Sequence, residues 1–382
     1  MNPRWILGVT AMLGCGGKLT HPPATDGGTD VVAYPVVPAD AGWDTGTDLA
    51  RDANPPCTSG LPCTDAIGPC ATGATVCDLR GHAVCVATEV PAGTACAAGL
   101  CDGHGRCIPP STQRSCPDPT ERGCGMVDIP GATFTLGDSD ALRATPLVPG
   151  ITVQDYRIDA YEVTVARFRR YWASGHPAPS TVTYADATVP FTGAVTPATT
   201  TVGCNWTATQ GSREAHPINC LDWYTAVAFC VWDGGRLATE AEWEWAARGD
   251  AGLGRAPVRS FPWGESPPDV HCDRAQWSEC PGDDGAPTRR VGSFPGAAGI
   301  YDQAGNVWEW TADLFRTYDD PACWGARPRT NPRCDGPVGF RAIRGGGWYS
   351  TEEQFLHGAS RDDAYEPSNR SAYVGLRCAR GR

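Results

Sequence analysis

Lysine is almost missing from this chain. Lys18 is the only one in 382 residues, and every other cation is arginine. Charged residues make up only 19%, and acids exceed bases enough to leave a formal net charge of -12. That balance excludes a nucleic-acid binder held by phosphate contacts, because there is no excess of cations to displace counterions from DNA or RNA. Long apolar runs are also missing. The stretch from Trp5 to Leu13 falls well short of the roughly 20 residues that cross a bilayer, and no later segment reads as transmembrane. No Gly-x-Ser-x-Gly turn, His-Glu-x-x-His pair or Cys-x-x-Cys occurs, and the seven histidines are scattered. The commonest hydrolase and structural-zinc signatures are therefore absent. One further absence matters later: no cysteine lies between Cys334 and Cys378, although the chain carries nineteen.

What is present points to export. Arg4 followed by the short apolar run and Gly14-Cys15 reads as a signal peptide over residues 1–15. "MLGC" resembles a bacterial lipobox, with Met12 where leucine is usual. Cys15 is then the expected lipidation site, and the chain is expected at the cell envelope, lipid-anchored to an outer membrane or surface, or otherwise secreted. Setting Cys15 aside leaves an even number of cysteines, as a disulfide framework in an oxidising compartment requires.

Residues 16–56 are small, acidic and dotted with proline. They offer too little apolar surface to offset the entropy of ordering and read as a flexible linker spanning roughly 35 Å. Residues 57–115 hold eight cysteines among glycine turns, a composition that needs covalent staples rather than an apolar core. Exported thiols favour disulfides over zinc here, with 105 possible connectivities, and the segment reads as a stalk.

From Cys116 the composition changes to that of an α+β domain running to residue 382. "MVDIPGATFTLGD" is expected to form a strand pair. In "DAYEVTVARFRRYWASG", Val163, Phe168, Tyr171 and Trp172 fall near helical spacing, with a stop at Gly175. In "NCLDWYTAVAFCVWDGG", Trp223, Ala226, Val227, Cys230 and Val231 mark one face of a second helix closed by Gly234. In "TEAEWEWAARG", Thr239 and Glu242 make a capping box, and Gly249 follows the last turn. Its three glutamates spread around the helix axis and read as structural. Asp302 and Glu309 are carboxylates seven residues apart, with the Gly305 turn between them. Calcium takes such oxygen donors, while a capped turn with Trp308 and Trp310 in the core is the alternative.

The blocks "HPINCLDWYTAVAFCVWDGGRLATEAEWEWAARG", "FPWG", "GIYDQAGNVWEWTAD", "IRGGGW" and "VGLRCA" occur in the order found in the formylglycine-generating enzymes, also called sulfatase-modifying factors. The resemblance covers about residues 124–382 and implies a mixed fold similar to C-type lectins, poor in regular secondary structure. It implies a structural calcium site at the Asp302 side chain, the Gly305 and Val307 carbonyls and Glu309. A second calcium site would fall near "HCDRAQWSECPGDDG", with no ligands assigned. It also implies a disulfide between Cys230 and Cys378. A second family disulfide would need cysteines near Ala247 and Gly358, and both are absent. The remaining cysteines sit in close couples, each expected to close a local disulfide: Cys116 with Cys124, Cys204 with Cys220, Cys272 with Cys280, and Cys323 with Cys334.

Active family members oxidise a substrate cysteine to formylglycine with a cysteine pair just after "RGG", whose soft thiolates hold copper(I). Here the first position is Ser350 and the second falls within Glu353 to Phe355, none of them cysteine. Serine stays protonated near neutral pH and is a hard, weak donor to copper(I). The resemblance therefore implies a domain without bound copper and without catalytic residues. It would use the family groove to bind a peptide, glycan or protein partner. Trp348, Tyr349, Arg361 and Arg377 would stand either in or near the groove or, as the favoured role for each, packed in the core. The alternative is a formylglycine-generating or related metal-dependent oxidase with other ligands.

Overall fold

The computed structural model describes residues 113–249, 259–268, 272–278, 280–296, 299–325, 329–336 and 339–381, together with short strands between residues 62 and 108. Cys15, the signal peptide and the linker lie outside the described residues. The chain divides into two units, one containing Met1–Asp65 and Gly73–Thr88, the other Ala66–Thr72 and Glu89–Arg382. In the stalk, Pro62–Cys63, Ala71–Cys77 and Ala83–Glu89 make a three-stranded sheet. Ala95–Cys96, Gly99–Cys101 and Cys107–Ile108 make another. No helix among the described residues is long and apolar enough to cross a membrane.

The C-terminal domain begins with β1 (Met126–Ile129), β2 (Ala132–Leu136), β3 (Val148–Val153), β4 (Tyr156–Asp159) and α1 (Val165–Ala173). Next come β5 (Thr181–Thr183), β6 (Thr188–Pro190), α2 (Trp223–Trp232), β7 (Arg236–Leu237) and α3 (Glu240–Arg248). After a long irregular stretch follow β8 (Trp308–Leu314), α4 (Pro321–Trp324), β9 (Arg341–Arg344), β10 (Arg361–Tyr365), β11 (Val374–Gly375) and β12 (Cys378–Gly381). One four-stranded antiparallel sheet has the order β7-β12-β4-β1. A second has the order β10-β9-β8-β11, with β11 parallel to β8.

The "MVDIPGATFTLGD" stretch forms two strands but not a pair. β1 pairs with β4 and β2 with β3, in different sheets. The reason lies at Pro130-Gly131, between the two strands. Trp245 of α3 donates its indole N–H to the Pro130 carbonyl at 2.9 Å, and a Cβ on Gly131 would stand 2.5 Å from the Val153 carbonyl oxygen. The corner is packed against other elements and passes the chain from one sheet to the next instead of folding it back.

The helix ends follow from local chemistry. Thr164 caps α1 by accepting from the Arg167 amide, and Asp222 caps α2 by accepting from the Thr225 amide at 2.8 Å. In α3, Thr239 accepts from the Glu242 amide at 3.2 Å while Glu242 accepts from the Thr239 amide at 2.9 Å, so two orphan donors are satisfied reciprocally. Gly175 and Gly234, just past α1 and α2, have φ of +88° and +92°, the left-handed conformation that lets a helix stop.

The core is unusually rich in charge. The three glutamates of α3 are all buried and all paired: Glu240 with Arg361, Glu242 with Arg236, and Glu244 with Arg248 and Arg344. The segment before β1 is tied in the same way. Gln113 donates to Asp159, the Ser115 amide donates to Asp233, and Arg167 bridges Asp159 and Asp233 at 3.0 and 2.9 Å. Arginine suits such positions because its planar fork satisfies two carboxylate oxygens at once.

Candidate functional site

The structure closes five disulfides in this domain: Cys116–Cys124, Cys204–Cys220, Cys230–Cys378, Cys272–Cys280 and Cys323–Cys334. Every cysteine from Cys116 to Cys378 is thereby oxidised. The Cys230–Cys378 bridge joins α2 to β12 across 148 residues of sequence. Ala247 and Gly358 are neighbours, since a Cβ built on Gly358 stands 3.3 Å from that of Ala247. That is close to the separation a disulfide spans, and this chain has no sulfur there.

Ser350 lies in the tight turn after β9. Its hydroxyl accepts from the Gly347 amide at 3.0 Å, and its own amide donates to the Gly347 carbonyl at 2.9 Å. Gly345 and Gly346 adopt φ of +100° and +74°, which swings the chain out of the strand and towards the surface. The residues after Ser350 enter a 3-10 turn at Glu353–Leu356, with Phe355 edge-on to Trp308 at 6.3 Å. The donors at these positions are a hydroxyl, a carboxylate, an amide and an aromatic ring. That set does not fit copper(I), which prefers soft thiolates and thioethers.

Beside this turn the surface opens into a cleft of about 870 Å³ lined by Thr201, Val202, Trp206, Arg213, Trp348 and Tyr373, among others. Trp348 and Tyr373, with ring centroids 4.9 Å apart, line the cleft, and Tyr349 packs against both outside the lining at 5.8 and 5.0 Å. Tyr349 is 62% exposed and Val202 fully so, an apolar surface offered to solvent. The Cys204–Cys220 bridge ties one lining residue to the segment just before α2. Arg213, also in the lining, donates to the Cys204 carbonyl at 3.1 Å and the Gly285 carbonyl at 2.9 Å.

Arg361 and Arg377 lie in the core, the role favoured for them over the groove. Arg361 forks onto Glu240, and Arg377 forks onto Glu309 with two 2.7 Å hydrogen bonds. Both are buried because their carboxylate partners are, and an unpaired buried carboxylate costs more than the pair.

Asp302 and Glu309 are both buried. Asp302 accepts from the amides of Gly292, Ser293 and Phe294, and Glu309 accepts from the Trp243 indole at 2.7 Å as well as from Arg377. Between these carboxylates lies a third that the sequence reading missed: Glu162, which accepts from the Asn306 side chain at 2.6 Å and the Val307 amide at 3.2 Å. Three buried carboxylates thus share one guanidinium. Burial, and then Asp302 and Glu309, push the Glu162 carboxyl well above the ordinary range, and burial pushes Asp302 up to about 6. The excess of negative charge and the oxygen donors fit a hard divalent cation. Among the described residues no three His, Cys, Asp or Glu side chains converge as ligands, so the Gly305 and Val307 carbonyls would have to complete the set. At the other expected calcium segment, Asp283 and Asp284 engage Arg289, Arg290 and His216.

Residues 112–382 match the model of the sulfatase-modifying factor enzyme 1-like domain. The formylglycine-generating enzyme of Thermomonospora curvata is 35% identical over 300 residues, covering 68% of this chain and 95% of that protein. The inactive C-alpha-formylglycine-generating enzyme 2 of Bos taurus is 32% identical over 183 residues, covering 45% of this chain and 53% of that protein. Among solved structures, PvdO from Pseudomonas aeruginosa aligns with a TM-score of 0.49 at 27% identity, over 69% of this chain and 96% of PvdO. With its mixed sheets, short helices and ordered motif blocks, this chain belongs to the formylglycine-generating enzyme, or sulfatase-modifying factor, family and has that family's fold.

Proposed function

We propose that this chain is an exported, lipid-anchored member of its family whose domain binds a partner in place of oxidising a thiol. The observation that carries this reading is the state of the sulfur. All ten cysteines of the domain are spent in disulfides, and Ser350 spends its hydroxyl on the turn to Gly347. Among these ten no thiolate pair remains to hold copper(I). The cleft beside Ser350 keeps what a binding site needs: exposed aromatic rings and an arginine held in place by backbone carbonyls. Its occupant is a peptide, glycan or protein, presented at the envelope on a linker and a disulfide-rich stalk. A copper(I) competition assay against a chromogenic chelator tests the loss of the metal site. The full chain is expected to leave the chelator loaded, and stoichiometric capture of copper with micromolar or tighter affinity would overturn the reading.

The same reading includes a structural calcium ion, held by the Asp302 side chain, the Gly305 and Val307 carbonyls and Glu309. Bound there, it would supply the positive charge that Glu162, Asp302 and Glu309 together lack. Added calcium should raise the unfolding temperature and a chelator should lower it. An unfolding temperature indifferent to both contradicts the assignment.

A further inference from the structure

A second cleft, of about 640 Å³, opens against the β7-β12-β4-β1 sheet. Three arginines line it, one from each of three adjacent strands: Arg236 from β7, Arg380 from β12 and Arg157 from β4. Thr181 and Thr183 of β5 and the Gly234-Gly235 turn supply the rest of its polar rim. In a chain with a net charge of -12, three cations gathered in one cleft stand out.

Two of the arginines are partly neutralised. Arg236 forks onto Glu242 at 2.6 and 2.7 Å, and Arg380 meets Asp233, which Arg167 also holds. Arg157 stands directly opposite Arg380 in the antiparallel register, an arrangement of like charges that costs stability unless something offsets it, and on its other side it faces Asp128 of β1. The Nε atoms of both Arg157 and Arg380 are buried without a hydrogen bond. Burial, with the neighbouring Arg167 and Arg157, also holds the Arg380 guanidinium below its ordinary range. Two guanidinium groups set opposite each other are costly, and an oxyanion bound between them in the cleft would offset that repulsion.

We propose that this cleft binds a phosphate or sulfate ester of a sugar-sized molecule. The oxyanion would lie against Arg157 and Arg380, and its hydroxyls would meet Thr181, Thr183 and the glycine turn. The size follows from the volume. A cleft of 640 Å³ is in the range of sites for small organic ligands, roughly 300–1,000 Å³, and is far larger than a bare oxyanion requires. The aromatic cleft beside Ser350 shares none of these residues, so this site stands or falls independently of it.

Isothermal titration of the full chain with glucose 6-phosphate, glucose 6-sulfate, inorganic phosphate and glucose tests the site. At least one ester should bind at least tenfold more tightly than inorganic phosphate, and glucose should not bind. Arg157→Gln should weaken that binding at least tenfold. Arg157→Lys should keep part of it, and Arg143→Gln, on a remote surface, should change nothing. Binding of neither ester by the native chain overturns the proposal, as does equal affinity in Arg157→Gln. Inorganic phosphate binding as tightly as the esters overturns the assignment of a larger ligand. Circular dichroism of each variant separates a lost site from a lost fold.

Discussion

The hydroxyl of Ser350 accepts a hydrogen bond from the backbone N–H of Gly347 at 3.0 Å and closes the turn after β9. A serine there is a structural acceptor, so Ser350→Ala should cost about 1 kcal/mol of stability through the unsatisfied amide. Chemical denaturation measures it. A loss above about 3 kcal/mol would mean that Ser350 does more than close the turn.

The sulfur account makes a second prediction. Unfolded without reductant and probed with a thiol reagent, the domain's ten cysteines should yield no free thiol. After reduction all ten should react. A reactive cysteine in the unreduced sample, mapped between Cys116 and Cys378, contradicts the pairing.

Gly358 lies against α3. A Cβ there would stand 2.6 Å from the Cγ of Arg248, which is itself held by Asp138 and Glu244 at 2.9 Å each. Gly358→Ala should therefore destabilise the domain by roughly 1–3 kcal/mol, the usual cost of overpacking. A thermal midpoint equal to that of the native chain would show that Arg248 moves aside freely.

Arg377→Ala should cost far more, roughly 3–5 kcal/mol, because it leaves Glu309 buried with its ion pair gone. Arg169→Ala, which breaks a pair with Glu214 whose side chains are 21% and 16% exposed, should cost less, about 1 kcal/mol. Equal effects on denaturant midpoints would mean that the Glu309 site relaxes or takes in water.

Asp313 gives a pH dependence. Burial, and then Glu240, push its carboxyl from 3.8 up to about 7 in the folded protein. A raised folded value means that the native state holds the proton more tightly than the unfolded chain. The contribution to stability is complete below about pH 4 and is lost as pH rises towards 7, amounting to a few kcal/mol. Asp313→Asn should flatten the fall in stability between pH 4 and pH 7. An unchanged slope would assign the titration to another group.

Much of this was readable in the sequence, and the limit has a physical cause. The capping box of Thr239 and Glu242 and the glycine stops at Gly175 and Gly234 are local devices, so a few adjacent residues reveal them. The partners of β1 and β2 are not local. The Pro130-Gly131 corner looks like a hairpin turn, and only packing against Trp245 and Val153 shows that it changes sheets. The candidate sites divide the same way. Asp302 and Glu309 stand in one motif, but Glu162, which shares their charge, lies well over a hundred residues earlier. For Arg361 and Arg377 the sequence favours the core over the groove but cannot name their partners, because Glu240 of α3 and Glu309 of β8 are brought to them only by the fold. The three-arginine cleft could not be read at all, because strand order, not spacing, brings Arg157, Arg236 and Arg380 together.

The central claim is that this domain no longer oxidises a thiol. The measurement that tests it most directly incubates the full chain with a Cys-x-Pro-x-Arg peptide, oxygen and copper, beside an active family member, and follows the peptide by mass spectrometry. The account predicts aldehyde in the parallel reaction and unchanged thiol here. Aldehyde formed by this chain would contradict it and show that copper is held without the cysteine pair.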